Sequence, residues 1–227
     1  MKTVDIKIVW IAMMVALAPL CLKAESGMDA ARLLSRAKAT LYTNPKEAAS
    51  LANRALKLCD TSRPDSICRE ATILYGNAEQ LLGNFDLSIR TLYDARQMVD
   101  STDIRTLARL YMLQGRVFSK LGDYSRSNEL NDHATAIFKS LGDSASVAQC
   151  YTERGVTLLN TDEYVLAEHF FRKSLDISRR LKNLEAIARN LNNMCLYPGD
   201  SNDKLQMIDE AITINKHLDS KWALGEN

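Results

Sequence analysis

Only four of the 227 residues are proline. With 46% hydrophobic and 25% charged residues, that scarcity excludes a disordered chain and places the sequence among ordered globular or repeat proteins able to bury a continuous core. An excess of one charge is also missing. A formal net charge of +1 lacks the concentrated basic surface that nucleic acid or a coated membrane requires. The sequence has no glycine-rich phosphate loop, no His-Glu-x-x-His, no Gly-x-Ser-x-Gly and no Cys-x-x-Cys. His133, His169 and His217 are too scattered for a local metal set, and no cysteine pair has metal-finger spacing. Asp200-Ser201-Asn202-Asp203 opens like a calcium loop, but Lys204 takes a ligand position, Leu205 replaces the required glycine and Ala211 ends the loop. It reads instead as a turn in which Ser201 or Asp203 caps the next helix. The expectation is a non-enzymatic chain without metal or cofactor.

The long apolar run lies at the start. Lys2 and Lys7 accompany Ile8 to Cys21, apolar for 14 residues, and Leu22-Lys23-Ala24 closes on a small residue. That order reads as a cleavable signal peptide over residues 1–24, which predicts a periplasmic or otherwise exported protein. The run is short of the about 20 apolar residues of a spanning helix, and an uncleaved anchor is the alternative. Leu20, where lipoprotein processing wants a small residue, speaks against lipidation at Cys21. Removing residues 1–24 takes away Lys2, Lys7, Lys23 and Asp5, so the formal charge moves from +1 to −1.

Export leaves Cys59, Cys68, Cys150 and Cys195 where disulfides persist. Cys59 and Cys68 flank a Pro64-containing stretch that reads as a turn between helices. A disulfide there would staple the first helix pair to the second, and two unbridged thiols are the other reading. Cys150 and Cys195 fall inside predicted helices as core residues.

What is present is a repeat. Gly76, Gly115 and Gly155 recur at intervals of 39 and 40 residues, and Phe85, Tyr124 and Tyr164 each follow nine residues later. A period in this range marks stacked helix pairs, each depending on its neighbours for a core. Ala108 through Tyr124 aligns with Ala148 through Tyr164, with apolar residues every three or four positions and then a polar turn. Second apolar-periodic runs follow over Asn131 to Leu141 and Ala167 to Leu181. Both runs of each repeat are expected to be helices, antiparallel because the joining turn is short.

These residues resemble the tetratricopeptide repeat family. Leu82-Gly83-Asn84-Phe85-Asp86 and Leu121-Gly122-Asp123-Tyr124 are similar to its inter-helix turn. Ala48, Ala52, Ala55 and Leu56 fit the second helix of a degenerate first repeat, and Tyr164, Ala167, Phe171, Ser174 and Leu175 fit the fourth. The resemblance covers about residues 28 to 227 and implies an all-α fold, a right-handed α-solenoid of antiparallel helix pairs, with residues 25–227 as one array of about five repeats. The glycine should let the partner helix approach closely, while the aromatic fills the groove to the next repeat. Three departures stand out. Thr72 and Glu79 sit where large apolar residues are expected. In the fifth repeat Cys195 replaces the glycine, and Pro198-Gly199-Asp200 cuts the first helix short. Ala223-Leu224-Gly225-Glu226-Asn227 aligns with the opening of a sixth repeat, which reads as a truncated array, with a natural short terminal turn as the alternative.

The family's concave face is lined by first helices. Carried over by position, it comprises Asn77 and Gln80, then Arg109, Met112, Arg116 and Lys120, then Gln149, Thr152, Val156 and Leu159, and finally Arg189 and Asn192. Arg105, Arg109, Arg116 and Lys120 share one helical face, a stripe for a carboxylate or acidic segment, with a plain solvated face as the other reading. Ile73 stands where the family's terminal-carboxylate clamp needs a lysine beside Asn77. Tyr111 and Tyr151 read as packing residues. The expected partner is a protein or peptide, with no nucleic acid, and with a membrane only through an uncleaved leader or a downstream segment. Export and extended repeats together resemble the sensing part of a membrane-spanning bacterial regulator. A free periplasmic or secreted scaffold is the alternative.

Overall fold

The computed structural model describes residues 28–60, 65–196 and 201–224, with side chains within the last segment for 203–218. The leader, Pro64, Pro198-Gly199-Asp200 and residues 225–227 lie outside the described residues. Among those described there is no strand. The helices are α1 (28–40), α2 (Pro45–Lys57), α3 (Ser66–Leu81), α4 (Phe85–Gln97), α5 (Ile104–Lys120), α6 (Tyr124–Ser140), α7 (Ser144–Leu159), α8 (Tyr164–Arg180), α9 (Leu184–Met194) and α10 (Ser201–Leu224). No described helix is long and apolar enough to cross a membrane. The chain divides into two compact units, Met1–Asp100 and Ser101–Asn227.

The turns explain the period. Across 79–84, 118–123, 138–143, 158–163 and 178–183, the last residue's amide donates to the first residue's carbonyl at 2.9 Å. The residue before the last has positive φ: Gly83, Gly122, Gly142, Asp162 and Lys182. This is the six-residue closure of a helix C-terminus, in which a left-handed residue turns the chain back over its own end. At three of these turns the next residue then caps the following helix with its side chain. Asp123, Asp143 and Asn183 accept from the amides of Arg126, Ser146 and Ala186 at 3.1, 3.1 and 3.0 Å. Gly122, Gly142, Asp162 and Lys182 stand 20 residues apart, so the long period is two equal halves closed by the same turn.

In the first unit, α2 packs on α3 and α3 on α4. Its core is small and alanine-rich, with Ala30, Leu34, Ala37, Leu41, Ala48, Leu51, Ala52, Ala55, Ala71, Leu74 and Ala78 in one cluster. Thr72 and Glu79 keep the expected register, because each is buried with a hydrogen-bond partner. Thr72 Oγ1 donates to Cys68 O at 2.8 Å, and Glu79 Oε2 accepts from Asn84 Nδ2 at 2.7 Å. Gly76 faces α4, where Ser88 Oγ donates to its carbonyl at 2.7 Å.

In the second unit, the hairpins α5–α6, α7–α8 and α9–α10 follow in series, with α6 against α7 and α8 against α9. The fold class is therefore all-α, built of antiparallel helix pairs stacked in order. One core gathers Ala108, Met112, Ala134, Phe138, Val147 and Cys150. Another gathers Leu158, Ala167, Phe171, Leu175, Ile187, Leu191, Met194 and Ala211. A Cβ at Gly115 would lie 3.1 Å from Ser127 O, and one at Gly155 would lie 2.6 Å from the Phe171 ring. The glycines do set the closeness of each pair.

Several expected boundaries shift. Phe85, Tyr124 and Tyr164 are each the first residue of a helix, so α6 and α8 begin before the apolar periodicity does. The first turn of α8 exposes Val165 and Leu166, and so shows no one-sided apolar pattern. The short first helix of the last pair is borne out, since α9 has 11 residues against 17 in α5. Asp203 lies inside the first turn of α10 and does not precede it as a cap. Ala223 and Leu224, aligned with the opening of a sixth repeat, continue α10, a single helix of 24 residues.

Candidate functional site

The first helices of three successive hairpins, α5, α7 and α9, lie side by side in the second unit. Between them is an open cavity of about 540 Å³. From α5 come Arg116, Ser119 and Lys120; from α7, Thr152, Glu153, Val156 and Leu159; from α9, Arg189 and Asn193, followed by Leu196. Offsets of three, four and seven put each set on one helical face. Asn160 and Tyr164, at the turn into α8, close one end. Val156, Leu159 and Tyr164 rest on the Phe171 core, so the floor is apolar and backed by packed side chains.

Electrostatics divide the cavity. Arg116 donates to Glu153 Oε1 through Nη2 at 2.7 Å and Nε at 3.1 Å, with side chains 13% and 20% exposed. That pair cancels its own charge and ties α5 to α7. Lys120 on one wall and Arg189 on the other are exposed, and they leave the lining with a cationic excess. The cavity therefore combines an apolar floor with positive walls.

A buried polar network lies beneath. Thr152 Oγ1 donates to Asn190 Oδ1 at 2.9 Å, and Asn190 Nδ2 donates to Ser174 Oγ at 2.9 Å and Ala186 O at 2.8 Å. Ser174 Oγ donates to Ala148 O at 2.7 Å. One hairpin back, Thr157 Oγ1 lies 3.2 Å from Ser119 Oγ and 3.3 Å from Ser127 Oγ. Satisfied networks of this kind fix spacing more strictly than apolar contact, which suits a groove whose walls must keep register.

Of the residues expected on the concave face, Arg116, Lys120, Thr152, Val156, Leu159 and Arg189 line the cavity. Thr152 is itself buried in the network beneath. Met112 is buried in the core with Ala108 and Phe138. Arg109 is half-buried on α5 and Asn192 is exposed on α9; neither lines the cavity. Asn77 is buried on α3 in the first unit, its Oδ1 without a hydrogen-bond partner. The stripe of cations on α5 is partly answered from α7, because Arg105 pairs with Asp143 as Arg116 does with Glu153. Glu153, Asn160, Asn193 and Leu196 were not foreseen. Glu153 carried a signal nonetheless, as an acid beside Thr152 on the face expected to line the groove.

Elsewhere, Tyr111 packs on His133 and Tyr151 on Phe170, with ring centroids 5.6 and 5.8 Å apart. Lys139 and Lys173 lie over the Tyr151 ring at 5.7 Å, on the face of α7 away from the cavity. Cys59 and Cys68 are free thiols close enough to influence one another. Burial, then Cys68 and the charge of Asp65, push the Cys59 thiol up. Burial pushes Cys150 up to about 12, in keeping with a core cysteine.

No protein-family model matches the chain, and no curated protein matches it. Among solved structures, the crystal structure of BtubC (BKLC) from P. vanneervenii aligns with 87% of this chain and 92% of its own, at TM-score 0.61 and 16% identity. The crystal structure of MamA aligns with 73% of this chain and 86% of its own, at TM-score 0.48 and 19% identity. At such identity the likeness to BtubC is one of fold, a helical repeat.

Proposed function

We propose that the chain is a non-catalytic binding module that holds an extended acidic protein or peptide segment in the groove between α5, α7 and α9. The observation that carries this is the cavity of about 540 Å³ with apolar Val156 and Leu159 on its floor and Lys120 and Arg189 on opposite walls. Three helices from three hairpins contribute, so a segment lying across them reads several repeats at once. Residues 1–24, with their basic start and short apolar run, support export of the module. Export together with extended repeats supports a role as the sensing part of a membrane-spanning bacterial regulator, in which the bound segment favours one spacing of the hairpins over another. A free periplasmic or secreted scaffold would use the same groove without that last step.

Two pools of end-blocked hexapeptides test the groove, one rich in Asp and Glu with aliphatic residues, the other its Asn and Gln counterpart. Fluorescence anisotropy should show binding of the acidic pool, weakening with salt, and loss in a Lys120→Glu, Arg189→Glu double variant. Equal binding of both pools, or unchanged binding by the double variant, refutes the reading. Membrane fractionation of the natural gene product separates sensor from scaffold: a regulator stays with the membrane after high-salt washing, and a scaffold does not.

A further inference from the structure

We infer that the groove continues into a second, smaller subsite built for a carboxylate, where the N-terminal turns of α7 and α9 meet the C-terminal half of α8. The inference rests on the groove reading above and adds an anchor to it. The subsite is a cavity of about 130 Å³. Arg189 borders both it and the larger cavity, so one guanidinium joins the two. Along α7 the walls run in sequence, Ser146 and Gln149 in the small cavity and Thr152, Val156 and Leu159 in the large one.

Three features converge on an anion. The first is the pair of helix N-termini, since Ser146 lies in the first turn of α7 and Asn183 caps α9, and both ends carry partial positive charge. The second is Arg189, whose fork of N–H donors suits a carboxylate. The third is Ser178 on α8, 1% exposed and lining the cavity, whose Oγ has no hydrogen-bond partner. A buried hydroxyl without a partner is costly and rare, and a ligand oxygen accepting its proton would satisfy it. The opposing charges nearby are Asp143, the cap of α7, which already holds Ser146 N–H at 3.1 Å and pairs with Arg105, and Glu185, exposed in the first turn of α9.

Size and reach fit one acidic residue of a longer segment. At about 30 Å³ per water, the small cavity has room for about four waters or for one carboxymethyl group in their place. From Ser146 to Leu159, α7 rises about 20 Å at ~1.5 Å per residue, which an extended chain covers in about six residues at ~3.3 Å each. The ligand is thus a segment of about six residues with a carboxylate at one end and an aliphatic side chain at the other. The carboxylate is that of an Asp or Glu side chain or of a chain terminus.

Sodium acetate and acetamide, titrated into the full chain and followed by amide and arginine Nε–H NMR, are the probes. Acetate should shift Ser146, Ser178, Ala186 and Arg189 saturably, and acetamide should not. Arg189→Gln should weaken acetate binding at least tenfold. Ser178→Ala should weaken it at least threefold while leaving the thermal midpoint unchanged or higher, because the hydroxyl it removes has no partner in the fold. Equal shifts with acetamide, acetate shifts indifferent to Arg189→Gln, or a lowered midpoint in Ser178→Ala would overturn the subsite. Acidic hexapeptides binding without any acetate site would sink this inference and leave the groove standing. Acetate binding with no peptide binding would do the reverse. Hexapeptides with a single Asp→Asn exchange, or with free instead of amidated C-termini, identify which carboxylate is bound.

Discussion

One methyl group added at Gly155 tests how closely the helix pairs shut. The alanine Cβ would lie 2.6, 2.8 and 2.8 Å from Cε1, Cδ1 and Cζ of Phe171, where carbon atoms ordinarily rest about 3.5–4.0 Å apart. Phe171 is fully buried among Leu158, Leu175 and Leu191, so its ring cannot swing aside without displacing them. Against this, alanine gains about 0.8–1.0 kcal/mol of helix propensity over glycine. Overpacking of a filled core costs about 1–3 kcal/mol, and contact with three ring atoms puts this site in the upper half. The net expectation for Gly155→Ala is a loss of about 1–2 kcal/mol. At Gly76 the nearest atoms are Leu92 Cγ and Cδ2 at 3.0 and 3.1 Å, an overlap that a shift of a few tenths of an ångström relieves, so the propensity gain should offset the packing cost and leave Gly76→Ala near neutral. Urea unfolding of both variants, with Phe171→Leu alone and combined with Gly155→Ala, completes the test. The smaller side chain should relieve the clash and give a coupling of about 1 kcal/mol or more. A Gly155→Ala protein as stable as its parent, or strictly additive costs, would refute the steric argument.

Three further outcomes follow from the turns and side chains. Lys182 holds φ 54° where Gly122 and Gly142 occupy the equivalent turns, so Lys182→Gly should raise stability by about 0.5–1 kcal/mol; an unchanged or lower urea midpoint contradicts this. Burial alone would raise the Asp143 carboxyl, but the Ser146 N–H and Arg105 outweigh it and hold it below its ordinary 3.8. A carboxyl depressed by folding stabilises above the unfolded value and loses that contribution as pH falls through the folded one. Acid unfolding should therefore show a shallower slope below pH 3.8 in Asp143→Asn, and parallel curves would contradict it. Oxidised glutathione, accepting two electrons as both thiol protons leave, should join Cys59 to Cys68. Closing a loop of about ten residues should add roughly 2–3 kcal/mol, with mass spectrometry of the Cys59→Ser control as the check. Failure to form an intramolecular bridge would mean the thiols cannot reach bonding geometry.

Much of the fold was legible because repeats write the same constraint several times. Gly115 and Gly155, with an aromatic after each, fixed the pairing of helices, and the structure puts both glycines against their partner helices as spacing required. The half-period was harder to see. Asp162 and Lys182 perform a glycine's turn without being glycine, so the equal spacing of the turns is hidden in composition and visible only in φ. In the candidate site, Arg116 and Lys120 were accessible to helical periodicity, and Val156 to the position it shares with the family's concave face. Met112 was misplaced because a positional carry-over cannot see that α6 and α7 close over that face of α5. The Arg116–Glu153 pair joins residues 37 apart, and the Thr152–Asn190 bond joins residues 38 apart; pairings across a whole repeat are a property of stacking and not of any local pattern.

Photo-crosslinking tests the groove most directly. A benzoylphenylalanine at position 156 in the groove, and another at exposed position 173 on the face carrying Tyr151, would be irradiated with the acidic hexapeptide pool. Crosslinks at 156, competed by unlabelled acidic peptide and absent at 173, are the expected result. Equal labelling at both positions, or labelling at 173 alone, would contradict recognition between α5, α7 and α9.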